Sequence, residues 1–113
     1  MDFSAPRGTP VYATGDGRIE RADNSATGYG NHIRVNHGYG YVSLYAHLYK
    51  YNVKAGQKVQ RGDLIGFVGS TGRSEGPHLH YEVSKDGERI NPMNFYYGSL
   101  TAEEFEDMLK KAQ

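Results

Sequence analysis

The stretch Gly76-Pro77-His78-Leu79-His80-Tyr81-Glu82-Val83 alternates residue by residue between polar and apolar side chains. This period of two is typical of a β-strand with one buried face. The buried face is predicted to carry three apolar side chains: Leu79, Tyr81 and Val83. The opposite face carries three polar ones: His78, His80 and Glu82. Imidazoles bind metals and transfer protons near neutral pH, so this row is either an exposed polar edge or part of a functional site.

A second alternating stretch, residues 41–48, supplies a third histidine. One face is apolar and consists of Val42, Leu44, Ala46 and Leu48. The other face consists of Tyr41, Ser43, Tyr45 and His47. Because His47 lies opposite the apolar set, as His78 and His80 do in their strand, the three rings would meet on one open face if the strands are neighbours. Strand pairing and register do not follow from the sequence alone.

Composition restricts the fold and the class of partner. The 113 residues fit one domain, and 13 basic side chains balance 13 acidic ones, so bulk charge gives no support for nucleic-acid binding. No apolar run is long enough to span a membrane. Cysteine is absent, so any metal must be held by His, Asp or Glu. The 15 glycines separate short β-branched and aromatic runs, which indicates many turns between strands.

Other segments carry structural expectations. Residues 10–22 are interpreted as a hairpin around Gly15-Asp16-Gly17. His32 is expected on the surface, and His37 is expected to be structural. Residues 101–112 are predicted to form one C-terminal helix, because Thr101 and Glu104 make a capping box ahead of helically spaced apolar residues. These features divide the chain into a domain at 1–97 and a helical segment at 98–113.

The residues available for chemistry suit a hydrolytic zinc ion. A catalytic zinc site combines three protein ligands with one position open to water. Bound zinc polarises a carbonyl and lowers the pKa of that water. Histidines that are not ligands can move protons or stabilise an oxyanion. Four residues are candidates for these tasks: Asp2, His47, His78 and His80. The spacing does not say which of His78 and His80 would bind metal.

An ordered set of motifs resembles the M23 metallopeptidases of the lysostaphin/LytM type. The motifs span Asp2 to about Pro92 and are Asp2–Val11, Tyr29-Gly30-Asn31, Tyr45-Ala46-His47-Leu48, Gly69–Ser74 and Gly76–Glu82. Any one of them is weak, but their ordered combination is specific. The resemblance implies a compact, mostly antiparallel β fold with an open groove. It also implies a zinc endopeptidase that cuts peptides of bacterial peptidoglycan in the cell envelope or outside the cell.

The resemblance also assigns roles to individual residues. It implies that Asp2 and His80 are zinc ligands and that His47 and His78 are catalytic histidines. The first family motif is His-x-x-x-Asp, and its histidine would fall four residues before Asp2, outside this sequence. We therefore expect the sequence to be an N-terminally truncated form with two of the three ligands, and its zinc binding and cleavage to be impaired.

Two other functional classes remain open. Some relatives of this family that have lost metal ligands act as non-catalytic cell-wall binding or hydrolase-activating modules, and the absent histidine supports that alternative. A sugar-phosphotransferase carrier has a similar fold and uses paired histidines. The Asp2-Phe3-Ser4-Ala5-Pro6 entry and the Pro77-His78-Leu79-His80 strand argue against a carrier.

Overall fold

The computed structural model describes residues 2–25, 28–72 and 76–91, and these residues form nine β-strands. In chain order the strands are β1 (Asp2–Ser4), β2 (Pro10–Tyr12), β3 (Gly17–Ser25), β4 (Gly30–Gly38), β5 (Tyr41–Tyr51), β6 (Lys58–Val59), β7 (Leu64–Val68), β8 (His78–Lys85) and β9 (Glu88–Ile90). No helix among the described residues is long and apolar enough to cross a membrane.

All strand pairs are antiparallel, which confirms the predicted mostly β fold. The main path through the sheet runs β1-β8-β5-β4-β3-β6, while β7 pairs with β5 and β2, and β9 pairs with β8. Strand β8 therefore lies between β1 and β5. The predicted helix at 101–112 and the boundary between residues 97 and 98 lie outside the described residues, and both stay predictions.

The buried face of β8 is the one that its alternation predicted. Leu79, Tyr81 and Val83 are each at most 1% exposed and belong to the main hydrophobic cluster. His78, His80 and Glu82 occupy the opposite face, where each is partly exposed. Burying three large side chains on one face determines which way the histidines point.

The face assignment for β5 was wrong. Tyr45 is fully buried and packs on Tyr81, with ring centroids 5.2 Å apart, so the tyrosine face is the core face. Leu44 lies opposite Glu82 and therefore shares the face of the histidines. Alternation cannot distinguish the faces of this strand because both carry large apolar groups.

A chain of buried hydroxyl groups allows tyrosines to fill that core. The hydroxyl of Tyr45 lies 2.8 Å from Oγ1 of Thr14 and accepts a hydrogen bond from the Thr14 amide. Thr14 also bonds the hydroxyl of Tyr81, and Ser43 donates to Tyr45. Each buried polar atom of this chain thus has a partner, which avoids the cost of desolvation. Burial raises the pKa of Tyr45, so its hydroxyl stays protonated.

The structural role expected of His37 is confirmed. Its Nδ1 donates to the carbonyl of Asp16 at 2.6 Å, and its Nε2 lies 2.7 Å from the hydroxyl of Ser43. The ring thus connects a turn to the buried hydroxyl chain. Burial lowers the pKa of His37, partly offset by the bond to Asp16.

Two smaller predictions were wrong. Residues 10–22 do not form a hairpin, because β2 pairs with β7 whereas β3 pairs with β4 and β6. His32 is not a surface residue: it is 6% exposed, and its Nδ1 donates to the carbonyl of Gly30. The first error concerns strand pairing between distant segments, and the second concerns burial; alternation along a single strand reports neither.

Candidate active site

Strand β1 brings Asp2 to the histidine face of β8. Asp2 lies directly opposite His80 in the antiparallel pair, and Ser4 lies opposite His78. Directly opposite residues share a face, so the carboxylate of Asp2 meets both imidazoles. Its Oδ1 is 2.7 Å from Nδ1 of His80 and 3.6 Å from Nε2 of His78. The fold thus brings together Asp2 and His80, which are 78 positions apart in the sequence.

His47 reaches the same face through a backbone irregularity. Between the pairs Asn31–Leu48 and Ile33–Tyr45, strand β5 contains one residue more than β4, and His47 has a positive φ of 61°. Strict alternation from the buried Tyr45 would send His47 into the core. A bulge re-aims a side chain in this way. The ring of His47 lies 4.9 Å from that of His78 and 6.0 Å from that of His80.

The tautomers of His47 and His78 follow from their backbone partners. Nδ1 of His47 is 2.7 Å from the carbonyl oxygen of Thr71, and Nδ1 of His78 is 2.9 Å from that of Gly76. A carbonyl oxygen only accepts, so both Nδ1 atoms carry the hydrogen and both Nε2 atoms keep a lone pair when the rings are neutral. Burial is the main cause that lowers the pKa of His47, with help from His78 and His80.

A continuous row of polar groups runs from Asp2 through His80 to Glu82. Nε2 of His80 is 2.6 Å from Oε2 of Glu82, while Nδ1 faces Asp2. The hydrogen bond with His80 is the largest cause that lowers the pKa of Asp2, against a smaller opposing effect of burial. Asp2 is therefore an anion at neutral pH, as a metal ligand must be.

Glu82 is itself held by two further residues that sequence reasoning did not assign to the site. The hydroxyl of Tyr29 donates to Oε2 at 3.1 Å, and Nε of Arg89 lies 3.2 Å from Oε1. The Tyr29 ring also stacks on His80 at 6.0 Å, with 19° between the planes. The position of Glu82 on the histidine face was a signal in the sequence; no pattern linked Tyr29 or Arg89 to it.

Asp2 and the three histidines border an open cleft of about 550 Å³, whose lining residues are Asp2, Ser4, His47, Gly76, Pro77, His78 and His80. A larger hollow of about 850 Å³ lies elsewhere, beside Asp16, His37 and Asp63. Two of its acidic side chains accept hydrogen bonds from the backbone, Asp16 from the Arg61 amide and Asp63 from the Gln60 amide, and Glu20 accepts one from the side chain of Asn36. The smaller cleft is the better candidate for chemistry, because four titratable side chains converge there.

The donor set fits a zinc ion in part. Asp2 offers a carboxylate oxygen and His80 an imidazole nitrogen to the same point, and both are ordinary zinc ligands. Glu82 behind His80 completes the arrangement in which a carboxylate orients a metal-binding histidine. Within residues 2–25, 28–72 and 76–91, however, no group of three or more His, Cys, Asp or Glu side chains is arranged to hold a metal.

A β sheet with an Asp-His-His cleft is compatible with a metal-dependent hydrolase, and comparison with known proteins identifies the family. The family described as "Peptidase family M23" matches residues 1–92, and the chain belongs to this family. M23 peptidases are zinc-dependent. The resemblance inferred from the motifs is thereby confirmed.

Three relatives illustrate the similarity. The peptidoglycan DD-endopeptidase ShyA of Vibrio cholerae is 49% identical over 92 residues, 81% of this chain and 21% of that protein. A zinc-containing peptidase from Vibrio cholerae superposes with a TM-score of 0.76 at 43% identity, covering 79% of this chain and 27% of the other. The catalytic domain of lysostaphin from Staphylococcus simulans gives a TM-score of 0.78 at 40% identity, covering 86% and 77%. The chain spans about a fifth of the length of the curated relatives it matches.

Proposed function

We propose that this chain is the catalytic domain of a zinc metalloendopeptidase that cleaves peptide bonds in bacterial peptidoglycan. One observation carries the proposal: Asp2, His78 and His80 converge within hydrogen-bond distance or slightly beyond it, next to His47, on the wall of an open cleft. Relatives named as peptidoglycan endopeptidases support the choice of substrate. Such a substrate implies action in the cell envelope or outside the cell.

Asp2 and His80 are the residues that would hold zinc, through Oδ1 and Nδ1. The chemistry zinc supplies in such a site is Lewis acidity toward a peptide carbonyl and toward the attacking water. The protein's own contribution here is charge and orientation. Asp2 provides a negative charge, and Glu82 fixes the ring of His80 through Nε2.

His47 and His78 are the proposed catalytic histidines. Each is anchored by Nδ1 on a backbone carbonyl, so each can offer Nε2 as a proton acceptor. The lowered pKa of His47 keeps its ring neutral near pH 7, as a general base requires. Once protonated, the same nitrogen can return the proton to the leaving amine. His78, adjacent to Asp2, can stabilise developing negative charge after it takes up a proton.

The test combines zinc content with cleavage. Zinc per chain is measured after dialysis against metal-free buffer, for this sequence and for one extended upstream, and release of soluble peptides from purified peptidoglycan is followed in parallel. We expect His80→Ala to abolish both zinc retention and cleavage. His47→Ala is expected to retain zinc and to lose most cleavage, because it removes a proton acceptor and leaves the ligands.

An exposed histidine substitution would be the natural control, but the described histidines all have structural partners. Tyr39→Phe serves instead, since Tyr39 is 92% exposed. Unchanged cleavage by a folded His80→Ala variant of the extended protein would refute the proposal. Loss of zinc in the His47→Ala variant would refute the division of roles between ligand and base.

A second candidate function is a non-catalytic module that binds the cell wall or activates another hydrolase. The observation that favours it is that, among the residues described by the structure, no group of three or more His, Cys, Asp or Glu side chains is arranged to hold a metal. This candidate predicts sedimentation with peptidoglycan in the absence of zinc and no release of peptides when zinc is added. Retention of one zinc ion per chain together with cleavage excludes it.

A further inference from the structure

A second, smaller cavity adjoins the cleft on the same face of the sheet. Its volume is about 210 Å³, and the eight residues that border it include Tyr29, Arg34, Leu44, Glu82, Ser84 and Arg89. Tyr29 and Glu82 contact His80 on one side and border this cavity on the other. Because His80 itself lines the cleft, the cavity and the cleft are separated by these contacting side chains.

Arg34 has a buried donor that lacks a partner in this cavity. Its Nε atom is buried and makes no hydrogen bond within the described residues. The neighbours of Arg34 do not compensate its charge, because Leu44 lies opposite it on one side and Arg21 on the other. A buried, charged donor without a partner costs free energy, and an anion held in the cavity by the rest of the Arg34 guanidinium would offset part of that cost electrostatically.

The charges around the cavity favour an anion. Arg34 and Arg89 contribute two positive charges, and Glu82 contributes one negative charge that is already shared by Arg89, Tyr29 and His80. Arg21, which pairs directly opposite Arg34, adds a further positive charge on that face of the sheet. The hydroxyl of Ser84 supplies a neutral donor, and Leu44 supplies an apolar floor.

We propose that this cavity is a subsite for a free carboxylate of the peptide substrate, with Arg34 as its principal ligand. This inference rests on the proposed peptidase function and specifies its substrate. Arg34 is two strands from Glu82, and Glu82 is two residues from His80, which places the Arg34 and His80 backbones roughly 12 Å apart. An extended peptide covers that distance in about three to four residues, fewer if a long side chain carries the carboxylate.

The probe is a pair of synthetic cross-linked stem-peptide dimers. In one dimer a diamino-acid residue near the cleaved bond carries a free carboxylate, and in the other that group is a carboxamide. The zinc-loaded full chain is expected to show a KM for the free acid that is about tenfold lower than for the amide. Arg34→Gln is expected to bring the ratio of the two KM values close to one. Arg34→Lys keeps the charge but not the fork of donors, and is expected to restore the preference in part.

A matched control is Arg61→Gln. Arg61 lies on an exposed turn far along the chain from the cavity, and its substitution removes the same charge from the protein. We expect this variant to keep the acid-over-amide ratio of the unchanged chain. If Arg34→Gln does not fold, as judged by its unfolding transition, Arg89→Gln is the second variant: Arg89 borders the cavity and is 71% exposed, and its replacement is expected to lower the acid-over-amide preference.

Binding of the two dimers, measured by isothermal titration, separates the failure of the subsite from the failure of the enzyme. If neither dimer is cleaved but the free acid binds better than the amide and Arg34→Gln abolishes the difference, the proposed function fails and the subsite stands. If both dimers are cleaved or bound equally well by the unchanged chain, the subsite is refuted and the peptidase remains. A preference that survives in a folded Arg34→Gln variant also refutes it.

Discussion

Replacing Glu82 with glutamine tests the proposed role of this carboxylate in orienting His80 for metal binding. Oε2 of Glu82 is 2.6 Å from Nε2 of His80, and the glutamate side chain is only 14% exposed. A carboxylate behind a metal-bound histidine typically contributes about 10–100-fold to metal affinity. Glutamine keeps the size of the side chain and one oxygen acceptor, so we expect zinc affinity to fall by about tenfold, or about 1.4 kcal/mol.

We expect the loss of zinc affinity to come from the weakened contact between residue 82 and His80, and not from the lost ion pair between Glu82 and Arg89. Arg89 is 71% exposed, and ion pairs that reach solvent contribute only about 0–1 kcal/mol. Arg89→Gln should therefore weaken zinc binding less than Glu82→Gln does. Glu82→Ala, which removes the acceptor altogether, should lie at the upper end of the range, near 100-fold.

The assay is competition for zinc with a chromophoric chelator at constant pH, with Glu88→Gln as the matched control. Glu88 begins β9 and is exposed, so it changes the net charge equally without contacting the site. In the zinc-free protein, the ¹⁵N shifts of the His80 ring should also change in Glu82→Gln and not in the control. A folded Glu82→Gln variant with unchanged zinc affinity and unchanged His80 shifts would refute the orienting role.

Three further predictions concern the framework of the site. Tyr45→Phe leaves the buried Thr14 amide without its acceptor and should lower the free energy of unfolding in urea by about 1–3 kcal/mol, whereas Tyr39→Phe at an exposed position should change nothing. His37 has a lowered pKa because it is buried, so the unfolded chain takes up a proton below about pH 6.5 that the folded chain resists. The contribution of this pKa shift to the free energy of unfolding is thus complete above about pH 6.5 and is lost as the pH falls. If the free energy of unfolding depends on pH between 5 and 8 in the same way in His37→Gln, this explanation is contradicted. A Cβ on Gly30 would lie 2.4 Å from the carbonyl carbon of Thr71, whose oxygen anchors His47, so Gly30→Ala should reduce both stability and peptide release. Gly8→Ala is its control, since that glycine also has a positive φ but open space around it, and equal effects of the two would exclude the steric explanation.

Alternation along β8 was sufficient to predict the orientation of its histidines. Leu79 and Val83 are wholly apolar and the Tyr81 hydroxyl bonds Thr14 within the core, so the burial of all three leaves one orientation for His78 and His80. The same reasoning failed for β5, where the hydroxyl of the buried Tyr45 finds a partner in Thr14, 31 residues away. A period of two identifies two faces, and it identifies the buried one only when the faces differ in polarity.

His47 was expected in the site for a reason that the structure corrects. Regular alternation along β5 predicted this position, whereas the His47 ring enters the cleft because a bulge and a positive φ at His47 interrupt the alternation. The carbonyl of Thr71, from a loop 24 positions away, then holds the ring in place. Nothing in residues 41–48 indicates where the partner strand lacks a residue, so local pattern alone could not have predicted the irregularity.

The sequence by itself determined the mostly β fold, the orientation of β8 and the residue types of the site, because period, turn residues and side-chain chemistry are local properties. Its motifs also indicated the peptidase family. Only the tertiary structure decided that Asp2 lies opposite His80, that Glu82 is held by Tyr29 and Arg89, and that Arg34 faces a cavity beside them. These contacts depend on strand register and on loops from distant parts of the chain, and register is chosen by the packing of the whole core.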